Sequence, residues 1–257
     1  MPDIKTAIYP SLRDRAVFIT GGGGGIGASL VAHFSGQHCK VVFVDIDRAG
    51  GERVAGAHAG KDYPAPMFIR CDLRDIGALR AAVAEGAARV GKFTVLINNA
   101  AHDERHDTLA VTPDYWDERM ATNLRHQFFA AQAIIPMMQA EGGGAIVNFG
   151  STSWHVGQGG MPAYVTAKAG IEALTRSFAR DFGKDGIRAN CILPGWIMTE
   201  RQIEKWLTPE AEAELMQRQC MKEKLTPPDV ARMALWLASE DSRLITAHNF
   251  YVDAGWV

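Results

Sequence analysis

Residues 16–45 read AVFITGGGGGIGASLVAHFSGQHCKVVFVD, and this stretch decides the fold class. AVFIT (16–20) has the apolar run of a buried strand, and GGGGGIG (21–27) follows at once. ASLVAHFSGQ then carries helical apolar spacing, and KVVFVD (40–45) reads as a second strand. Strand, glycine turn, helix and strand make a βαβ unit with parallel strands. The glycines have a physical reason to stand there. A tight turn needs positive φ, and the backbone must come close to a pyrophosphate whose charge is met by a helix N-terminus. Five glycines in a row are also what a merely flexible loop shows. The context favours dinucleotide binding, because Asp45 ends the next strand about twenty residues after the turn begins, where an acid can hydrogen-bond the hydroxyls of an adenosine ribose.

Asp45 also bears on which dinucleotide. A 2′-phosphate beside this carboxylate meets like-charge repulsion of roughly 1–4 kcal/mol at about 4 Å, depending on the local dielectric. NAD is therefore expected over NADP. Arg48, three residues on, is placed to soften that preference, so NADP stays open.

Working outward, strands are expected at 65–70, 93–98, 145–149, 187–193 and 249–253. Helical patterns lie near 74–90, 114–140, 162–183 and 227–239. Strand and helix alternate through the whole chain, which predicts an α/β fold: a single domain over 1–257 with a doubly wound, Rossmann-type parallel sheet and helices on both faces. In such sheets ligands bind at the C-terminal ends of the strands, where strand order reverses. Asp72, Asn98-Asn99, Ser151 and Pro194-Gly195 stand at those ends. Each has an ordinary alternative, a helix N-cap for Asp72 and an Asx turn for the asparagines.

The segment STSWHVGQGGMPAYVTAK (151–168) carries the chemistry. Tyr164 and Lys168 are four residues apart and share one helix face. A free tyrosine, with a pKa of about 10, is a poor base near neutrality, and a neighbouring cation favours its phenolate. Such a group takes a proton from an alcohol while Ser151 holds the alcohol oxygen. An isolated pair of this kind is more simply a surface Tyr and Lys; the cofactor motif upstream changes that balance.

A net charge of −2 gives no support for nucleic-acid binding. The four cysteines (Cys39, Cys71, Cys191, Cys220) are widely spaced without a CxxC pair, so buried, reduced thiols are expected rather than disulfides or a zinc site. MPDIKTAIYPSLRDR at the start lacks the apolar segment of a signal peptide, and no apolar run of membrane length occurs. The expectation is a cytoplasmic protein without membrane partners.

Together these pieces resemble the short-chain dehydrogenase/reductase family along essentially the whole chain. The family's TGxxxGxG stands as Thr20, Gly21, Gly25, Ile26 and Gly27, and its NNAG as Asn98-Asn99-Ala100-Ala101, with alanine for the last glycine. Its catalytic asparagine matches Asn123 in ATNLR. Ser151, Tyr164 and Lys168 match the remaining catalytic members, and PGxxxT runs from Pro194-Gly195 through Thr199. The resemblance implies that Tyr164 is the general base in oxidation, that Lys168 lowers its pKa and holds the nicotinamide ribose, and that Ser151 fixes the reacting oxygen. Asn123 is implied to hold a water linking Lys168 to solvent. The implied cofactor contacts are Gly21, Gly25, Ile26, Gly27, Asp45, Asp72, Leu73, Asn99, Ala100, Tyr164, Lys168, Pro194, Gly195, Ile197 and Thr199. Family members are commonly tetramers, so a homotetramer is implied.

Finer segments, HDERHD (102–107), YWDER (115–119), NLRH (123–126), GSTSWH (150–155) and the ending VDAGWV, resemble the family's sugar dehydrogenases, which oxidise aldoses such as D-xylose or L-fucose at C1 to the lactone. A sugar needs several directional polar groups around one reacting carbon. Asp103, His106, Ser151, Ser153, His155, Tyr164 and Trp196 are the expected substrate contacts. HDERHD reads more simply as a solvated charge run, and Trp154 and Trp196 are equally readable as packing. His102 and His106 have a helical metal spacing but no third ligand, so no metal is expected. Residues 197–224 read as a helical lid over the substrate. A reductase of ketones or carrier-bound 3-oxoacyl groups is the alternative, but an acidic carrier wants a basic entrance and this lid mixes both signs. A non-catalytic nicotinamide sensor should lack one of Ser151, Tyr164 and Lys168; all three are present.

Overall fold

β1 (Ala16–Thr20) is buried along its whole length and pairs in parallel with β2 (Lys40–Asp45) on one side and β4 (Val95–Asn98) on the other. This computed structural model describes residues 6–257; the first five, part of the N-terminal stretch read above, lie outside it. With β3 (Met67–Arg70), β5 (Gly144–Phe149), β6 (Ile187–Pro194) and β7 (Asn249–Val252) the strands form one parallel sheet in the order β3-β2-β1-β4-β5-β6-β7. The order reverses between β1 and β4, which is where a doubly wound sheet opens a crevice.

Alternation along β1 divides the core. Val17 and Ile19 point to one face and meet α1 (Gly25–Gly36) and α9 (Pro227–Ala238) through Leu30, Phe34 and Leu235. Phe18 points to the other and meets α3 (Ile76–Val90), α5 (His126–Ala140) and α6 (Pro162–Phe182) through Leu79, Ile134 and Phe178. Each such side chain, fully buried, is worth about 2 kcal/mol. Both faces are covered, as continuous apolar strands require.

The departures from the expected elements have local causes. β3 starts at Met67 because Pro66 offers no N–H to the ladder. α2 (Arg48–Ala57) was not expected, since Gly50, Gly51 and Gly56 depress helix propensity. Packing explains it: a Cβ at Gly51 would lie 2.2 Å from the Phe68 ring, so a glycine lets this helix sit on the sheet. The helix expected over 114–140 is α4 (Pro113–Met120), then a π turn at Ala121–Arg125, then α5. Within 197–224 lie α7 (Glu200–Trp206) and α8 (Pro209–Arg218), begun by the caps Thr199 and Thr208. Asp75, not Asp72, caps α3 by accepting from the Ala78 N–H at 3.0 Å. No helix among the described residues is long and apolar enough to cross a membrane.

Candidate active site

A cleft of about 1230 Å³ runs along the C-terminal ends of the strands. At its β1 end, Gly21 and Gly25 adopt φ of +70° and +52°. A Cβ at Gly27 would lie 1.7 Å from the Gly21 carbonyl oxygen, so only glycine lets the turn close. The Thr20 hydroxyl accepts from the Asn99 and Ala100 N–H groups at 3.1 Å each. Asn99 Nδ2 donates back to the Thr20 and Gly21 carbonyls at 3.1 and 3.0 Å, welding the loop after β4 to the glycine turn. No side chain caps α1, and Gly23–Gly27 line the cleft, so the unpaired N–H groups and positive end of that helix face it. That donor set fits a pyrophosphate.

Asp45 lines the cleft beside it; its Oδ2 accepts from the Gly23 N–H at 2.8 Å and its Oδ1 from the Asp47 N–H at 2.9 Å. Arg48 does not face the cleft. It pairs with Glu52 at 3.6 Å on the exposed side of α2, because its place in the helix turns it away. The cation beside Gly23 is Arg53, which lines the cleft. Asp72 and Leu73 line it too, and the Arg74 guanidinium, 2.6 Å away, holds the Asp72 carboxyl below its usual range. Ile26, Ala100, Pro194, Gly195, Ile197 and Thr199 complete the expected cofactor wall, and all line the same space. Asn98 instead bonds in the core, donating to Asn148 Oδ1 at 2.9 Å, and makes no Asx turn.

Ser151, Tyr164 and Lys168 converge on this cleft. Lys168 Nζ donates to the Phe149 carbonyl oxygen at 2.7 Å and lies 5.4 Å from the Tyr164 ring centre. Burial pushes the ammonium down to about 8. The Tyr164 phenol is raised above its ordinary value, first by burial and then by the Asp103 carboxylate; the Ser151 hydroxyl and the Arg201 guanidinium act the other way. The expectation that Lys168 lowers it is not met without a cofactor, because burial outweighs the neighbouring cation. Without a cofactor, desolvation wins, and a further positive charge beside the ring is needed to favour the phenolate.

Asn123 sits in the π turn, fully buried and outside the cleft wall. Its Oδ1 accepts from the His102 N–H at 2.7 Å and its Nδ2 donates to the Arg119 carbonyl at 3.0 Å, so the side chain anchors the loop after β4. His126, one turn on, is buried, bonds the Ala100 carbonyl through Nε2 at 3.1 Å, and is pushed down to about 4 by burial.

On the substrate side, Asp103, Ser153 and Trp196 line the cleft, whereas His106 and His155 do not. His106 is turned to Tyr115, Nδ1 to the phenol oxygen at 3.0 Å, while its N–H donates to the Gly160 carbonyl at 2.7 Å. His155 is drawn the other way by a buried carboxylate. Glu172, one turn beyond Lys168 on α6, accepts from His155 Nε2 at 3.0 Å, and also from Trp154 Nε1 at 2.5 Å. Neither histidine lines the cleft in this structure, and Trp154, 40% exposed, stacks on His155 with ring centres 3.8 Å apart. Trp196 donates through Nε1 to Gln202 Oε1 at 2.8 Å. Gln202 and Arg201 of α7 both bind Asp103. Arg119, Arg201 and Gln202 were not anticipated as site residues. Arg119 stands four residues before Asn123, a spacing that could have drawn notice; Arg201 and Gln202 meet a partner about a hundred residues away, which no local pattern records. Among the described residues no cluster of three or more His, Cys, Asp or Glu is placed to hold a metal ion.

Such a sheet, glycine turn and Ser-Tyr-Lys group define an oxidoreductase that acts on CH–OH groups with a nicotinamide dinucleotide. The chain belongs to the short-chain dehydrogenase/reductase family: the family model described as enoyl-(acyl carrier protein) reductase matches residues 21–257. D-Xylose 1-dehydrogenase of Caulobacter vibrioides (strain NA1000 / CB15N) is 48% identical over 253 residues, covering 98% of this chain and 100% of that one. A protein of Rhizobium meliloti (strain 1021) named "Probable galactose dehydrogenase GalD" is 48% identical over 252 residues, covering 98% of each. The solved structure of a short-chain type dehydrogenase/reductase from Mycobacterium ulcerans superposes with a TM-score of 0.91 at 22% identity, covering 96% of this chain and 90% of that one; it shares the fold.

Proposed function

We propose that this protein oxidises an aldose at C1 to the sugar lactone, with NAD preferred over NADP. The reading is carried by the polar roof beside the base: Asp103, Ser153 and Trp196 stand in the same cleft as Ser151 and Tyr164. That supply of directional groups suits a polyhydroxylated substrate. The two 48%-identical relatives, named for xylose and galactose, support the same class. D-Xylose and L-fucose are the first sugars to examine.

In this reading Gly21, Gly25, Ile26 and Gly27 hold the pyrophosphate, Asp45 the adenosine ribose, and Lys168 the nicotinamide ribose. The nicotinamide supplies the hydride acceptor. Ser151 holds the C1 oxygen, and Tyr164 as phenolate takes the proton from its hydroxyl while the hydride leaves C1. Lys168 passes the proton on toward solvent. Residues 197–224 close over the sugar, and the protein works as a cytoplasmic homotetramer.

A reductase of carrier-bound 3-oxoacyl groups is disfavoured by the lid. Arg218 and Lys224 pair at 2.7 Å with Glu214 and Glu212, so these cations do not stand ready for an acidic carrier. The test is a panel of aldoses with NAD and with NADP, following the reduced nicotinamide. Turnover of a pentose or 6-deoxyhexose is expected. Inactivity on every aldose, together with reduction of a ketoacyl substrate, overturns the reading.

A further inference from the structure

Asp103 and Arg201 meet across the roof of the cleft, Oδ1 to Nη2 at 3.0 Å, and the second Asp103 oxygen accepts from Gln202 Nε2 at 2.7 Å. The partners come from different elements, the loop after β4 and the first turn of α7. Their side chains are 24% and 35% exposed, and both line the cleft that holds Tyr164. A second contact joins the same two elements, the Arg105 guanidinium 4.1 Å over the Trp206 ring. The ion pair is thus a product of docking α7 on the loop.

We infer that Arg201 is a positioning residue for the base: paired with Asp103, it offsets the carboxylate that otherwise keeps the proton on the Tyr164 phenol. The inference rests on Tyr164 as the proton acceptor. A carboxylate in a water-poor cleft disfavours a nearby phenolate, and a guanidinium favours it. Both influences reach Tyr164 in this geometry, Asp103 raising its pKa and Arg201 lowering it. Other titratable groups around the phenol come from every packed element. Lys168 stands on α6 and feels Asp103 as well. His126 of α5, pushed down to about 4, stays neutral near neutral pH, and Cys191 of β6, pushed up to about 12, stays a thiol. His102, beside Asp103, is lowered by burial and by Arg201 and Arg119. The side-chain charges that reach the phenol are therefore those of Asp103 and Arg201.

The experiment compares the full-length protein with Arg201→Gln, Arg201→Lys, Asp103→Asn and the Arg201→Gln/Asp103→Asn double variant. Phenolate formation in the NAD-bound protein is followed by ultraviolet difference titration against Tyr164→Phe, which needs no substrate and so remains readable even if no aldose is turned over. The pH profile of kcat/KM is recorded for whichever alcohol is oxidised. Arg201→Gln should raise the midpoint by about one unit, about a tenfold lower rate on the acidic limb. Arg201→Lys should restore most of it, Asp103→Asn should lower it, and the double variant should return to the wild-type midpoint or below. A residue that only roofs the pocket would raise KM and leave the midpoint in place. A midpoint unmoved in Arg201→Gln, or raised in Asp103→Asn, overturns the inference.

Discussion

The Lys168 ammonium, 2.7 Å from the Phe149 carbonyl oxygen and 5.4 Å from the centre of the Tyr164 ring, is almost wholly buried, and burial pushes its pKa down to about 8. Between that value and the ordinary 10.5 the unfolded chain binds more protons than the folded one, so this residue makes stability rise with pH across that window. Below it the fold carries the full cost of a charged lysine. The cofactor-free wild type should therefore gain on Lys168→Met by up to about 3 kcal/mol as pH rises through the window. Denaturant midpoints of both proteins at a series of pH values measure this; parallel curves would refute it.

Removing the Tyr164 hydroxyl keeps the ring that packs beneath Lys168 and deletes only the proposed proton acceptor. Tyr164→Phe should lower kcat by about 10² to 10⁴-fold, the usual worth of a general base. Binding of reduced nicotinamide, followed by fluorescence, should change only a few fold. Near-normal turnover in this variant would show that the proton leaves by another route.

Cysteine reactivity separates the four thiols. Cys39, Cys71 and Cys191 are buried, with pKa values pushed up to about 12, 11 and 12, whereas Cys220 is exposed. Thiolate character and access govern attack. A disulfide reagent should titrate one thiol in the native protein and four after denaturation, and Cys220→Ser should abolish the native reaction. Loss of a second native thiol at a comparable rate would show that one of the buried three is reachable.

The sheet was legible because its signals are local: an apolar run, a glycine turn and a helical period each occupy a few neighbouring residues. α2 was hidden because its glycines answer to the Phe68 ring on another element, a contact that propensity does not contain. The site divides in the same way. Ser151, Tyr164 and Lys168 sit where a strand end and one helix face must place them. His106 and His155 turn from the cleft because Tyr115 and Glu172, groups outside the motif, decide their side-chain direction. Asn123 shows a third case, a residue whose π turn and buried amide could not be read from ATNLR. The Tyr164 phenol is the clearest correction, since a spacing of four residues reports a neighbouring cation but not the burial that outweighs it.

Asp45 joins two tasks, and a pair of substitutions separates them. Its carboxylate accepts from the Gly23 and Asp47 N–H groups at 2.8 and 2.9 Å, so it shapes the glycine turn, and in the proposed reading it also repels a 2′-phosphate. Asp45→Ala should cost about 1–3 kcal/mol of stability through the lost hydrogen bonds. It should also raise the NADP-to-NAD ratio of kcat/KM by about tenfold or more, since the repulsion removed amounts to roughly 1–4 kcal/mol. Asp45→Asn keeps an amide oxygen for one of the two N–H groups and drops the charge, so it should gain NADP use with a smaller loss of thermal stability. Arg53, beside Gly23, is then free to meet the added phosphate, and Arg53→Ala in the Asp45→Asn background should reverse most of the gain. Kinetics with both cofactors and thermal melts check the series. An unchanged cofactor ratio in both Asp45 variants would leave the carboxylate a turn-shaping group alone, with cofactor choice made elsewhere in the cleft.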